Sequence, residues 1–198
     1  MNILVVSAYP LKDSLCGTFT DQIHSKLNQM GHEIVLENLY ENNFNPVLSV
    51  EERKLYYEKK YDASAVEQQV RRLLNADALA LVFPTWWFGF PAILKGWFDR
   101  VWVPSVAYDH ADDYGPIKPR LDKLRKALVV TTLGAPWWVD VFILRRPLRR
   151  IIKSALLGAC AKNCQLKYVS FYKCEKVDEV RSRSFALKID AVLNKWFR

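Results

Sequence analysis

Residues 76–103, ADALALVFPTWWFGFPAILKGWFDRVWV, constrain the fold more than any other stretch of the chain. Ala78 to Phe83 is an uninterrupted apolar run bounded by Asp77 and Pro84, the pattern of a parallel strand buried on both faces. Pro91 suits the first turn of a helix, where a missing N–H costs nothing, and Ile93, Leu94, Trp97, Phe98 and Val101 then recur at helical spacing. Between the prolines stand Thr85, Trp86, Trp87, Phe88, Gly89 and Phe90. Turns favour small polar residues, so this density of aromatic rings is unusual. In an open α/β sheet the carboxyl ends of strands are where ligands bind. The competing reading, that the rings merely cap the core, is not excluded by periodicity alone.

The rest of the chain repeats the alternation of strand and helix. Residues 2–8, NILVVSA, read as a first buried strand, and the loop from Tyr9 to Thr18 then opens a helix carrying Phe19, Ile23, Leu27 and Met30. Asp13, Ser14 or Thr18 supplies its cap, and hydroxyls beside the free N–H groups of a helix start make an anion site. The loop lacks the glycine spacing of a P-loop or of a GxGxxG turn. His32 to Leu39 is a second strand, residues 41–48 a loop, Ser49-Val50-Glu51-Glu52 a capping box opening a helix to about Lys60, and Ala63 to Asn75 another helix. Pro104 to Pro119 reads as a long polar loop holding Tyr108, His110 and Tyr114. Ala127 to Thr132 is a fourth strand, ending in Leu133-Gly134-Ala135-Pro136-Trp137-Trp138. Val141 to Ala161 follows as a helix interrupted near Pro147, with Arg145, Arg146, Arg149, Arg150 and Lys153 along it, then Gln165 to Lys173 as a fifth strand and Val177 to Trp196 as a closing helix. This order predicts an α/β fold: a five-stranded parallel sheet, strand order 2-1-3-4-5, with helices on both faces and the first and third strands flanking the switch point.

Composition narrows the class. A chain of 198 residues fits a single domain over 1–198, and 51% hydrophobic residues make it globular. The net charge of +8 favours anionic partners: nucleic acid, a membrane surface or phosphorylated cofactors. Nucleic acid is disfavoured, since no binding motif is present and the cations cluster away from the tryptophan loops. Cys16, Cys160, Cys164 and Cys174 form no CxxC pair and no zinc spacing, so no metal is expected and the thiols suit a reducing cytoplasm. No secretory leader opens the sequence, and the uncharged run from Ala78 to Leu94 is broken by prolines and falls short of the roughly 20 residues of a membrane span. Peripheral membrane association is the most that is expected. There is no GxSxG elbow and no HExxH pair.

Three loops then meet at one sheet edge: Tyr9–Thr18, Pro84–Phe90 and Thr131–Trp138. The first offers anion capture and the others flat aromatic walls, which together suit a flavin. Residues 83–101, FPTWWFGFPAILKGWFDRV, also resemble the FPxxWFxxPAxLKGWxDRV signature of the flavodoxin-like NAD(P)H quinone oxidoreductases. Ala8-Tyr9-Pro10 with Ser14 is similar to that family's AHPxxxS phosphate loop, and Thr131-Thr132-Leu133-Gly134 to its TTxG loop. The resemblance implies a flavodoxin-like fold, bound FMN or FAD, NAD(P)H as co-substrate and a homodimer. It implies a phosphate site at Tyr9, Ser14, Leu15 and Cys16, ring contacts from Pro84, Thr85, Trp87 and Phe88, and a second edge at Thr131, Thr132 and Gly134. Trp86 and Phe90 are assigned to core or dimer packing. Tyr108 and His110 correspond to residues that members place over the partner's flavin. Tyr9 stands where the family usually has histidine and Cys16 where asparagine is common, while Pro136-Trp137-Trp138-Val139 resembles the bacterial branch. The implied activity is that of an FMN-dependent NAD(P)H dehydrogenase (quinone), with NADH or NADPH binding and leaving before a quinone or similar acceptor enters in a ping-pong cycle. The alternative is a flavin-binding accessory or regulatory subunit of a membrane transporter with little turnover, contacting it through Arg145 to Lys153.

Overall fold

The computed structural model describes residues 1–58, 61–111 and 115–197. In chain order it contains β1 (Asn2–Ser7), α1 (Leu15–Gln29), β2 (Glu33–Asn38), α2 (Val50–Lys54), α3 (Glu67–Asn75), β3 (Ala78–Pro84) and α4 (Ala92–Val101). The short strands β4 (Tyr108–Asp109) and β5 (Lys118–Pro119) follow, then β6 (Lys126–Leu133), α5 (Pro147–Arg150), α6 (Gly158–Cys160), β7 (Gln165–Tyr172) and α7 (Glu179–Trp196). The main sheet is ordered β2-β1-β3-β6-β7 and every pairing in it is parallel. With the hairpin β4–β5 set aside, this is the predicted 2-1-3-4-5 order.

The apolar runs have the cause inferred for them: β1, β3 and β6 lie inside the sheet, so both side-chain directions meet protein. Ile3, Val5, Ala78, Ala80 and Val82 join α1 and α7 in one core, with Phe19, Phe171 and Phe185 in mutual ring contact. Leu4, Val6, Leu79, Leu81 and Phe83 join α3, α4 and the segment before β7 in the other. The period of two along each strand assigns alternate residues to the two layers.

Helix α4 is tied down by polar contacts as well as by burial. Trp97 is fully buried and its Nε1–H donates to Glu37 Oε1 on β2 at 2.9 Å, while Arg72 reaches the other carboxylate oxygen at 3.2 Å. Burial pushes the Glu37 carboxyl above its ordinary value, partly offset by those two partners. One turn on, Arg100 pairs with Glu52 at 2.7 Å, and Glu52 also closes the capping box with Ser49. The loop before α2 presses against the same helix: a Cβ on Gly96 would sit 2.2 Å from the Pro46 carbonyl oxygen.

Three expectations need correction. The helix opened by the capping box stops at Lys54 and tightens into a 3₁₀ turn at Leu55–Tyr57, and its expected end at Lys60 lies outside the described residues. The Pro104–Pro119 loop is closed by the antiparallel pair β4–β5 and buries Val106 and Ala107, while Tyr114 lies outside the described residues. The helix expected over 141–161 is instead π-helical at Val139–Ile143 and Ile151–Leu157, on either side of α5. Arg145 and Arg146 break it by taking left-handed φ values of 56° and 51°, and the Arg146 N–H donates back to the Asp140 carbonyl at 2.7 Å. Arginine is a good helix former, so propensity gives no warning of this reversal.

Candidate functional site

The carboxyl ends of β1, β3 and β6 deliver their loops to a common cavity of about 280 Å³. The first supplies Tyr9, Pro10, Leu11, Ser14, Leu15 and Cys16, the second Pro84 at the end of β3 and Trp86 in the turn beyond it, and the third only Thr132, within β6 itself; Trp137 and Trp138, expected as an aromatic wall, are outside the lining. Larger hollows lie elsewhere, one of about 560 Å³ by Asn2, Arg71 and Arg72 at the opposite strand ends. That hollow has no helix start and no aromatic wall, so size does not identify the site.

Ser14 is the cap of α1: its backbone is extended and its side chain accepts from the Gly17 N–H at 3.2 Å. The N–H groups of Leu15 and Cys16, in the first turn, have no acceptor within the helix. The loop folds tightly over this start, since a Cβ on Gly17 would lie 2.2 Å from the Lys12 carbonyl oxygen. Glycine is therefore required there, and the sequence motif did not single it out. Tyr9 is buried, and burial raises its phenol pKa, offset in part by the Thr20 hydroxyl.

The second loop holds its shape by strain and by tethering. Trp87 and Phe88 both have positive φ, 50° and 56°, and the Gly89 N–H donates to the Trp86 carbonyl at 2.8 Å. A reversal with two left-handed central residues normally uses asparagine and glycine, and bulky residues there cost of order 1–3 kcal/mol each. Such strain is characteristic of functional loops. Thr85 fastens the turn to β6, through its N–H to the Thr132 carbonyl at 2.8 Å and its hydroxyl to that of buried Thr131 at 2.6 Å.

The expected ring contacts are thereby redistributed. Trp86, assigned to core or dimer packing, is 43% exposed and lines the cavity. Trp87 is fully solvent-exposed and, like half-buried Phe88, lies outside the lining. Phe90 packs against Phe83 and Phe98 with ring centroids at 5.7 and 5.1 Å. Thr85 and Thr131 support the site from behind. Gly134 borders it: a Cβ there would lie 2.8 Å from Glu175 Oε1.

Cys174 and Glu175, just after β7, also line the cavity. Nothing in the sequence flagged them, because they belong to no motif and their strand end was not counted among the converging loops. Cys16 Sγ lies 3.6 Å from Thr132 Oγ1. Burial pushes the Cys16 thiol up to about 12, with the Thr132 contact opposing it, and burial followed by Glu175 raises that of Cys174. Both sulfurs are neutral at physiological pH and do not repel an anion. Only the thiolate is a good nucleophile. In the folded protein at pH 8, Cys16 is accordingly expected to alkylate at least about a hundredfold more slowly than in the unfolded chain, which peptide mapping after iodoacetamide treatment would measure; equal rates would contradict this environment.

Tyr108 and His110 are elsewhere. Tyr108 lines a separate hollow of about 370 Å³ with Phe98, Trp102 and Cys160. His110 stacks on Tyr57 at 5.9 Å and its Nε2 lies 3.1 Å from the Tyr56 carbonyl.

The lining suits a phosphate ester carrying a flat apolar ring: it brings the capped start of α1 together with Pro84 and Trp86, with the Glu175 carboxylate at the Gly134 edge. Comparisons with known proteins place the chain in a family. A family model described as a flavodoxin-like fold matches residues 1–196. An NAD(P)H oxidoreductase of Escherichia coli strain K12, YcaK, described as uncharacterised, is 40% identical over 108 residues, covering 54% of this chain and 55% of that protein. The structure of an NAD(P)H:quinone oxidoreductase from Methanothermobacter marburgensis has a TM-score of 0.79 at 25% identity, covering 97% of this chain and 94% of the other. That of an FMN-dependent NADH-azoreductase from Bacillus anthracis in complex with FMN has a TM-score of 0.78 at 13% identity and 98% coverage of both, a likeness of fold. The chain spans between 53% and 59% of the length of three curated relatives that it matches.

Proposed function

The chain belongs to the flavodoxin-like fold family, and on that premise we propose that it is a flavin-dependent NAD(P)H oxidoreductase reducing a quinone or similar two-electron acceptor. The observation that carries this reading is the convergence of the α1 start, the strained aromatic turn and the end of β6 on one cavity at the switch point. FMN is the cofactor proposed, and when bound it supplies hydride acceptance from NAD(P)H and two-electron delivery to the acceptor.

The side chains bind and orient; none needs to be a strong acid or base. Ser14 and the N–H groups of Leu15 and Cys16 would hold the phosphate, aided by the positive end of a helix fifteen residues long. Pro84 and Trp86 would flank the ring and exclude water from one side. Thr85, fixed by Thr131 and Thr132, holds the turn at a constant distance from β6. Trp87 and Phe88, projecting beside the cavity, are suited to closing over a second planar ligand. A homodimer would bring Tyr108 and His110 toward the neighbouring site, a reading supported by neither residue lining its own chain's cavity. The four cysteines are free thiols, which supports a reducing compartment; among the described residues no helix is long and apolar enough to cross a membrane.

Purified protein is expected to be yellow, or to become so with added FMN, to bleach with NAD(P)H, and to recolour with a quinone. A protein that takes up neither FMN nor FAD would overturn the proposal. Bleaching with negligible quinone turnover would favour the accessory role instead.

A further inference from the structure

We propose that the segment from Trp137 to Lys153 docks on an anionic lipid bilayer, inserting Phe142, Ile143 and the Trp137–Trp138 pair among the headgroups while Arg145, Arg146, Arg149, Arg150 and Lys153 meet their charge. None of these residues lines the cavity, and the proposal does not rest on flavin binding.

The segment is built with one side fixed and the other unused. Leu148, Ile152 and Leu157 are buried in the core under the sheet. Asp140 is buried and accepts the Tyr172 hydroxyl at 2.8 Å, and its carbonyl accepts the Arg146 N–H, closing a loop with Phe142-Ile143-Leu144 at its tip. That tip points into water: Phe142 is 68% and Ile143 61% exposed, with Trp137 and Trp138 at 52% and 48%. The Trp137 and Phe142 rings touch, at 5.5 Å between centroids, so the patch is continuous. Soluble proteins seldom present contiguous exposed apolar surface without a partner. Beside it, the left-handed pair Arg145 and Arg146 begins a run in which five cations fall within nine residues. Among the described residues, no carboxylate forms an ion pair with any of the five.

Charge selects among occupants. A second copy meeting this face about a two-fold axis would oppose the cationic run to itself. Nucleic acid would satisfy the arginines but has no use for an aliphatic tip of Ile143 and Leu144, and the rings it stacks on belong in a basic groove. An anionic bilayer accepts both halves: basic residues at the headgroups, aromatic and aliphatic side chains at the acyl boundary, and tryptophan at the interface.

The test is co-sedimentation of the intact protein with phosphatidylcholine vesicles, with and without phosphatidylglycerol. Binding is expected only with phosphatidylglycerol and is expected to weaken with salt. Each cation near an anionic leaflet is worth roughly fivefold in affinity, so Arg145→Glu with Arg150→Glu is expected to lose on the order of 25-fold or more. Phe142→Ser with Ile143→Ser is expected to lose at least roughly tenfold, with unfolding temperatures near that of the parent because these side chains are exposed. Arg183→Glu with Lys195→Glu on α7, which packs on the other face of the sheet, makes the same change in net charge and is expected to bind as the parent does. No binding to either vesicle, undiminished binding by the tip or arginine variants, or equal loss in the α7 control would overturn the proposal. So would conversion of a dimer to monomers by the tip variant, or retention on DNA, in a protein indifferent to vesicles. A colourless protein that pellets with anionic vesicles would refute the flavin reading and leave this one standing.

Discussion

Replacing Trp97 with alanine is expected to lower the unfolding free energy by about 4–5 kcal/mol, the upper part of the range for deleting a large buried ring. The side chain is 0% exposed at the centre of α4 and packs edge-on against Phe98 at 5.2 Å. Its loss also removes one of two partners from a carboxylate that is 1% exposed on β2. Against a typical total of about 5–15 kcal/mol, this is enough to leave the protein marginal at 37 °C; urea denaturation with a circular dichroism readout measures it, and a loss below about 2 kcal/mol would refute the account. Trp97→Phe separates the two causes, because phenylalanine keeps most of the apolar volume and loses only the donor to Glu37, at a cost of about 1–3 kcal/mol. Its cost depends on pH in a defined direction. The Glu37 carboxyl is raised in the folded state, so above the unfolded value the folded form holds a proton that the unfolded form has lost, and the group's contribution to stability falls as pH rises through that window. Removing the indole donor raises it further. The gap between Trp97→Phe and the parent should therefore shrink when the melt is repeated near about pH 3, where both states are almost fully protonated.

Elements whose cause is burial were legible in the sequence, and elements whose cause is a tertiary contact were not. The apolar runs of β1, β3 and β6 pointed to a sheet covered on both faces, and with the alternation of strands and helices they gave the strand order. The Trp87–Phe88 turn was invisible as a turn, because its left-handed residues are ones that local preference assigns elsewhere. Thr85 pulls the chain into that shape through Thr131 and Thr132, residues some forty-six positions away. With Trp87 turned into solvent, Trp86 lines the cavity where the family resemblance had implied Trp87. Glu175 was missed for a related reason: only the Gly134 backbone, by leaving no Cβ in its way, admits that carboxylate to the cavity edge. Arg145 and Arg146 likewise read as helix until the Asp140 carbonyl captures the chain.

Substituting Ser14 with aspartate is expected to weaken FMN binding steeply while leaving the fold intact, which makes it the most discriminating change at the proposed site. Aspartate is as good a helix cap as serine, so the acceptor for the Gly17 N–H persists and α1 still starts at Leu15. A carboxylate is favourable at a helix start in the absence of other anions, so stability is expected to stay within about 0.5 kcal/mol of the parent. With a phosphate beside it the sign reverses: like charges about 4 Å apart at an effective dielectric near 20 repel by about 4 kcal/mol per charge pair. Even half of that, after screening, weakens FMN by about thirtyfold, and a hundredfold to thousandfold loss is the central expectation. Ser14→Asn is the control, since asparagine caps equally well without charge and should retain FMN within about tenfold. Fluorescence titration of apoprotein with FMN measures all three forms. The comparison with riboflavin is decisive, because it presents the same ring without the phosphate and should bind Ser14→Asp and parent alike. If Ser14→Asp weakened riboflavin as much as FMN, the substitution would be acting on the ring pocket formed with Pro84 and Trp86, and the phosphate would have to lie somewhere other than the start of α1.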